Sequence, residues 1–214
     1  MIDHVPRAQR FFRFGLGAAL TFLSSCSILP APETFEIYQL PPSSIANTTQ
    51  ADKLPWTLHV STPHSSQITN SQRVLILRQD NRISAYKGVR WSDSPHVLLR
   101  DRLSSAFRAD GRLNTVSYAD NNLVTDLELS VDLSAFQVEY AEGMPVAVIR
   151  FYAALVQLAL NRLIAARGFE TRQPVEGTGM PEVITAFGRG ADKIAAEVVD
   201  WTVEHGSALQ SDVK

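Results

Sequence analysis

The chain has 214 residues with a formal net charge of −2, and 45% of the residues are hydrophobic while 20% are charged. These are ordinary values for a globular protein, and the near-neutral charge excludes the strongly basic surface that nucleic acid would require. The chain contains one cysteine, so an internal disulfide is excluded and a hydrophobic core has to stabilise the fold.

The first 26 residues have the layout of an export signal that ends at a cysteine. A stretch with three arginines precedes an uncharged, mostly apolar run over residues 14–25, which is too short for a comfortable transmembrane helix. Leu23-Ser24-Ser25-Cys26 resembles the lipobox of bacterial lipoproteins, in which two small residues precede the cysteine that takes the lipid. An ordinary signal peptide with an incidental cysteine, or a short buried helix, is the alternative.

Lipidation of Cys26 accounts for an unpaired cysteine in an exported chain. Each buried CH₂ of an acyl chain contributes about 0.8 kcal/mol, so several chains make a durable anchor. The resemblance to lipoproteins also implies that the residue after the cysteine directs sorting. Ser27 is not the aspartate that retains lipoproteins on the inner membrane, so we expect the periplasmic face of the outer membrane.

Four segments follow from these signals. Residues 1–25 are expected to be a signal peptide, residues 26–34 a lipidated tether, residues 35–204 a single globular domain and residues 205–214 a flexible tail. Because the signal peptide holds three arginines and one aspartate, the mature chain has a charge of −4.

Short β-type runs separated by polar loops begin the domain. Residues 35–40 alternate in the manner of a first strand, and further strands are predicted at residues 54–60, 73–77 and 83–86.

A first helix is predicted from Pro95 to about Asp110. Asp93 and Ser94 offer N-cap oxygens, proline suits the first helical position, and Gly111 is a typical C-terminal stop. The apolar face of this helix consists of Leu99, Leu103, Ala106 and Phe107. A strand is predicted after it, at residues 113–118.

The clearest strand alternates between apolar and polar residues from Leu127 to Ser134. Residues 136–140 keep a period of two in the opposite phase. A β-bulge near Ser134–Ala135 would join the two halves into one strand.

Residues 146–167 allow two interpretations. The segment is long, rich in alanine and leucine and unbroken, which favours a helix that ends at Gly168. Its β-branched and aromatic residues instead favour two long strands that turn near Asn161–Arg162. Local propensity leaves both open.

A last helix is predicted over residues 181–204, ended by Gly206. Its apolar stripe consists of Ile184, Phe187, Ala191, Ile194, Val198 and Trp201. The elements together indicate an α+β fold, a two-layer sandwich in which two helices cover one face of a largely antiparallel sheet.

No pattern of catalytic residues is present. The five histidines lack metal-binding spacing, and no Gly-x-Ser-x-Gly elbow or glycine-rich phosphate loop occurs. Asp126, Glu128 and Asp132 lie along the solvated face of a strand, which favours a surface role over acid–base catalysis. We therefore expect no enzyme, no metal and no cofactor apart from the covalent lipid on Cys26.

Several segments taken together resemble the ABC-type transport auxiliary lipoproteins. They are the lipobox, the run Tyr86-Lys87-Gly88-Val89-Arg90-Trp91-Ser92-Asp93 with the helix after it, residues 126–136, and Phe169 with Gln173-Pro174. The likeness runs from about Phe35 to Trp201. It favours the hairpin interpretation of residues 146–167.

The resemblance implies a non-enzymatic auxiliary component of a lipid or hydrophobic-solute transport system, like the lipoprotein of the paraquat-inducible Pqi system. Such systems join an ABC ATPase and permease to a periplasm-spanning MCE-domain protein. The lipoprotein is then expected to dock the MCE-domain protein at the outer membrane. Assembly into a homo-oligomer is left open.

Tyr86, Arg90 and Trp91 are the candidates for partner binding, because tyrosine, tryptophan and arginine are the usual interface anchors. In the alternative, Trp91 caps the core beside the helix start and Arg90 pairs with Asp93. A different function is a lipid carrier that holds an acyl chain in its own cavity, lined by residues such as Phe136 and Phe151.

Overall fold

A computed structural model describes residues 33–46, 53–118 and 123–211, with side chains as far as residue 207. The expected signal peptide, Cys26 and most of the tether lie outside the described residues, so their roles stay predictions. A compact unit begins at Phe35.

The fold is α+β, as predicted: within the described residues nine strands form one sheet and two helices pack on it. The strands are β1 Glu36–Tyr38, β2 Leu58–Val60, β3 His64–Ser65, β4 Arg73–Leu77, β5 Ile83–Trp91, β6 Val116–Ser117, β7 Leu127–Ala141, β8 Met144–Gln157 and β9 Arg162–Pro174. The helices are α1 Pro95–Asp110 and α2 Met180–Ser211.

Strand β7 organises the sheet. On one side it pairs antiparallel with β8 along its whole length, and β8 pairs antiparallel with β9. On its other side β7 pairs parallel with three short strands, β2 and β3 along its first half and β4 along its second half. The long pairings are therefore antiparallel and the short ones mostly parallel, which makes a mixed sheet.

The predicted bulge in β7 is confirmed, because the register with β8 shifts between Leu133 and Ala135. The bulge turns Phe136 and Val138 to the same side as the earlier apolar residues, and both are buried in the main core. One apolar face thus continues along β7 from Leu127 to Val138.

The hairpin interpretation of residues 146–167 is confirmed and the helical one is wrong. Strands β8 and β9 are joined by a 3₁₀ turn, Leu158–Leu160, and by Asn161 in the left-handed conformation, with φ 47°. Val148 packs with Ala135 in a small second cluster, while Ile149 belongs to the main core. Because both faces of β8 are buried in this part, its sequence shows no alternation and resembles a helix.

The bounds of α1 are as predicted. Gly111 is left-handed, with φ 76°, and its N–H donates to the Phe107 carbonyl at 3.3 Å. The N-cap is different from the expectation, because the Ser94 side chain makes no capping hydrogen bond and the Asp93 carboxylate accepts one from the Ser94 N–H.

The predicted end of the last helix is wrong. Helix α2 continues through Gly206 to Ser211, so residues 205–211 are helical and are not a flexible tail. Gly206 lies against the indole of Trp56, where an added Cβ would be 2.6 Å from the ring atom Cζ2. The glycine is therefore required for close packing on Trp56 and does not stop the helix.

Candidate functional site

Trp91, predicted to be a partly exposed partner contact, is a core residue. Its side chain is only 1% exposed. The ring meets Phe136 at 5.5 Å and Phe187 at 5.2 Å, both edge-on, and these two phenylalanines stack on each other at 4.9 Å. The expected exposure is wrong, and the alternative, in which Trp91 packs in the core beside the helix start, is correct.

Arg90 contacts the residue that precedes the first strand. Its guanidinium carbon lies 3.7 Å from the centroid of the Phe35 ring, which is the geometry of a cation–π contact. The expected alternative partner, Asp93, is instead hydrogen-bonded by Ser94. Arg90 is half-buried and already has a partner within the chain.

Tyr86 is half-buried and forms a hydrogen bond with Tyr140. Burial, followed by the interaction with Tyr140, raises the pKa of the Tyr86 phenol to about 12. Gly88, with φ 71°, lies between Tyr86 and Arg90, where the pairing of β5 with β4 is interrupted by a bulge. With Trp91 buried, the three predicted residues do not form one exposed surface.

The aromatic residues expected to line an acyl cavity fill the core. Phe136 and Phe151 are 1% and 2% exposed. Phe136 is enclosed by Trp91 and Phe187, and Phe151 stacks on Phe169 at 5.5 Å. Ring packing therefore fills the space around Phe136, whereas Phe151 and Phe169 form part of the wall of an open surface depression of about 470 Å³ that is also lined by charged residues such as Asp132 and Arg150.

Among the described side chains, no group of three or more histidine, cysteine, aspartate or glutamate residues is placed to hold a metal ion. The predicted carboxylate row serves the fold in part, because Asp126 accepts hydrogen bonds from the backbone and side chain of Thr57, both at 2.8 Å. A surface depression of about 560 Å³ is lined by polar residues of two turns, including Arg78 and Asp80. Asp80 is neutralised by Arg82.

A polar cluster that the sequence analysis missed clamps the N-terminal segment onto both helices. Arg102 of α1 forms an ion pair with Asp192 of α2 and donates a hydrogen bond to the Pro41 carbonyl. Asp192 also accepts hydrogen bonds from the Ser44 N–H at 2.8 Å and from the hydroxyls of Ser43 and Ser44 at 2.7 Å. We name these five residues the N-terminal clamp.

Shape reinforces the clamp. Pro41 lies against Gly188 of α2, where a Cβ would be 2.9 Å from the proline Cγ. The sequence contained one signal of this arrangement: Arg102 is next to Leu103 on the apolar face of α1, where a charged side chain needs a buried partner. The clamp is built to hold the segment that leads from the tether into the domain.

Exposed aliphatic side chains gather at one end of the sheet, where β7 begins and the β8–β9 hairpin turns. The loop before β7 lies beside the hairpin, because the Leu158 N–H donates to the Asp126 carbonyl at 3.0 Å. The exposed side chains are Leu123, Val124, Leu158, Leu160 and Leu163, named here the apolar end. No helix among the described residues is long and apolar enough to cross a membrane.

This α+β fold is shared with other bacterial proteins of known structure. Protein XCC0632 from Xanthomonas campestris is 25% identical, with a TM-score of 0.75 over 82% of this chain and 99% of that one. The hypothetical protein CT253 from Chlamydia trachomatis is 7% identical, with a TM-score of 0.51 over 70% of this chain and 97% of that one, which shows the fold alone. No curated protein matches the chain.

The family is given by the sequence match. The model of the ABC-type transport auxiliary lipoprotein component matches residues 38–199, and this chain belongs to that family. The resemblance found in the sequence is thereby confirmed. Membership implies association with a membrane and with an ABC transport system.

Proposed function

We propose that this protein is the non-enzymatic docking component of an ABC/MCE-type transport system for lipids or other hydrophobic solutes. Lipid on Cys26 holds it on the periplasmic face of the outer membrane. Its domain binds the periplasm-spanning MCE-domain protein, which connects it to the permease and ATPase. The observation that carries the proposal is the family match over residues 38–199.

The filled core supports docking over carriage of a lipid. Phe136, one of the residues proposed to line an acyl cavity, is enclosed by Trp91 and Phe187, and Phe151 stacks on Phe169 at the wall of a depression that also carries charged residues. A domain packed in this way offers its surface to a partner. It would act by binding another protein, as an auxiliary component does.

The N-terminal clamp supports anchoring. Arg102 and Asp192 fix residues 41–44 to two helices at once, so the chain that leads to Cys26 is attached to the rigid part of the domain. We expect this fixed start of the domain to let a short tether hold the domain close to the membrane while a large partner binds it.

Lipidation is tested by metabolic labelling with palmitate. The wild type is expected to take up label, and Cys26→Ala to take up none and to stay an uncut precursor. Ser27→Asp is the matched control, since it keeps the acceptor cysteine: it should be labelled fully and fractionate with the inner membrane. Equal label in Cys26→Ala and the wild type would contradict the anchor.

Docking is tested by measuring the affinity of the full-length lipoprotein, in nanodiscs, for the purified MCE-domain protein encoded with the same transporter. Tyr86 and Arg90 stay candidates for this contact, because part of each side chain is exposed. Arg90→Ala weakens binding several-fold where the contact is made by residues 86–90, and it leaves binding unchanged where the contact lies on another surface of the domain. Lipid that co-purifies in stoichiometric amount with a protein that binds no MCE-domain partner would support the carrier function instead.

A further inference from the structure

The apolar end is exposed well beyond what the fold requires. Val124 is 97% exposed, Leu160 66% and Leu163 59%. The turn of the hairpin is made by Asn161 in the left-handed conformation, so the leucines around it are not needed for chain reversal. Aliphatic side chains that neither pack in the core nor form a turn mark an interaction surface when they are contiguous.

The apolar end lies far from the place where the tether joins the domain. The tether leads into Phe35, whose ring is held by Arg90 on β5. Arg90 pairs with Arg73 on β4, and Leu75 of β4 pairs with Gln137 of β7, so the tether joins beside the middle of β7. The apolar end adjoins Leu127, the first residue of β7, which lies about eight residues or roughly 26 Å back toward the start of the strand.

Strand direction increases this separation. Strand β1 is parallel to β5 and therefore antiparallel to β7, so Glu36, the first residue of β1, is the residue of that strand furthest from the apolar end. Four strand spacings of about 4.8 Å also separate β1 from β8. The nine residues of the expected tether span at most about 30 Å when fully extended. The anchoring bilayer is therefore the less suitable occupant.

One charge accompanies the apolar side chains. Arg162 is exposed at the hairpin turn between Leu160 and Leu163, and within the described part of the chain it makes no ion pair. The nearby Asp126 carboxylate accepts hydrogen bonds from the backbone and side chain of Thr57. An occupant complementary to this surface has aliphatic side chains next to a carboxylate.

We infer that the apolar end is the docking surface for an apolar segment of the MCE-domain protein, with an acidic residue of that segment placed against Arg162. This inference rests on the proposed function and gives its location. A protein segment of this kind buries the leucines and neutralises the arginine in one contact. The surface lies well away from Phe35, the residue at which the expected tether joins the domain, and this leaves room for a partner that arrives from the periplasm.

The test compares full-length variants in the nanodisc assay with the purified MCE-domain protein. Leu160→Asp places a charge in the apolar end and is expected to weaken binding tenfold or more, and Arg162→Glu to weaken it by a similar factor. Met144→Asp is the matched control, because Met144 is 63% exposed at the opposite end of the sheet. It should bind as the wild type does. Melting temperatures of all three should stay within a few degrees of the wild type.

The outcomes separate this inference from the proposed function. A wild type that does not bind the MCE-domain protein overturns the proposed function itself. A wild type that binds, with Leu160→Asp binding equally well, overturns the inference alone. If Leu160→Asp binds the MCE-domain protein normally but is no longer retained on phosphatidylethanolamine–phosphatidylglycerol vesicles, the apolar end is a membrane contact. If Leu160→Asp instead has a lower molecular mass than the wild type in size-exclusion chromatography, the apolar end is a contact between copies of this chain.

Discussion

Replacing Trp91 by alanine is expected to lower the free energy of unfolding by about 3–5 kcal/mol. The side chain is 1% exposed and contacts Phe136 and Phe187 edge-on, so its removal leaves a cavity beside these two rings, which stack on each other at 4.9 Å. A residue from the sheet and a residue from α2 meet at this tryptophan. Its loss therefore weakens the packing of the helical layer on the sheet.

Trp91→Phe is the matched control. The indole N–H of Trp91 is buried without a hydrogen-bond partner, and an unpaired buried donor costs about 1–3 kcal/mol. Phenylalanine removes this donor and keeps most of the ring contact. We expect it to cost much less than alanine, about 1 kcal/mol.

Urea denaturation followed by far-UV circular dichroism measures both variants. The midpoint for Trp91→Ala should fall well below that of Trp91→Phe, and both folded variants should still bind the MCE-domain protein under native conditions. A Trp91→Ala variant with the stability of the wild type and a loss of partner binding would restore Trp91 as an interface residue. It would also contradict the burial of the Trp91 side chain in the core.

Elements whose signals are local could be predicted from the sequence. The bounds of α1 follow from Pro95 at its first position and Gly111 after its last, and both act through the backbone of one turn. The bulge in β7 follows from the change of phase at Ser134–Ala135. Neither depends on which other part of the chain packs nearby.

Elements whose residues serve distant contacts could not be predicted in this way. Gly206 has the sequence signature of a helix end, but the glycine is required by its close contact with Trp56, which is 150 positions earlier. Residues 146–149 of β8 are buried on both faces, and a stretch of this kind has no period of two. Neither the contact of Gly206 with Trp56 nor the burial of both faces of β8 can be inferred from the residues nearby in sequence.

The site shows the same limit. The aromatic and cationic composition of residues 86–91 is typical of an interface, yet Trp91 faces the core and Arg90 holds Phe35. The direction of these side chains depends on the bulge at Gly88 and on the pairing with β4. The apolar end brings together two loops that are more than 30 residues apart, and only the pairing of β7 with β8 shows that they are adjacent.

Removing the carboxylate of the N-terminal clamp is expected to have an effect as large as that of the core tryptophan. The side chains of Arg102 and Asp192 are only 6% and 13% exposed. Asp192→Ala leaves the Arg102 guanidinium buried without its counter-ion. It also removes the carboxylate that accepts hydrogen bonds from Ser43 and Ser44. Breaking a buried ion pair on one side costs about 3–5 kcal/mol.

Asp200→Ala is the matched control on the same helix. Asp200 also pairs with an arginine, Arg112, at 2.8 Å, but its side chain is 77% exposed. An exposed pair contributes about 0–1 kcal/mol, so this variant should melt close to the wild type. Limited proteolysis gives a second measurement, since Asp192→Ala should be cleaved faster within residues 41–46 and Asp200→Ala should not.

The pH dependence of stability distinguishes the ion pair from simple packing. Burial alone would raise the pKa of the Asp192 carboxyl, but hydrogen bonds from Ser44 and Ser43 and the charge of Arg102 outweigh it and hold this pKa below its ordinary value. The ordinary value in an unfolded chain is about 3.9. Because the folded pKa is the lower one, the stabilisation is fully present above pH of about 4–5 and is lost as the pH falls through the folded pKa. The difference in unfolding free energy between the wild type and Asp192→Asn should therefore be largest near neutral pH and shrink at about pH 3, whereas a difference that stays constant over this range would show that the carboxylate charge does not stabilise the clamp.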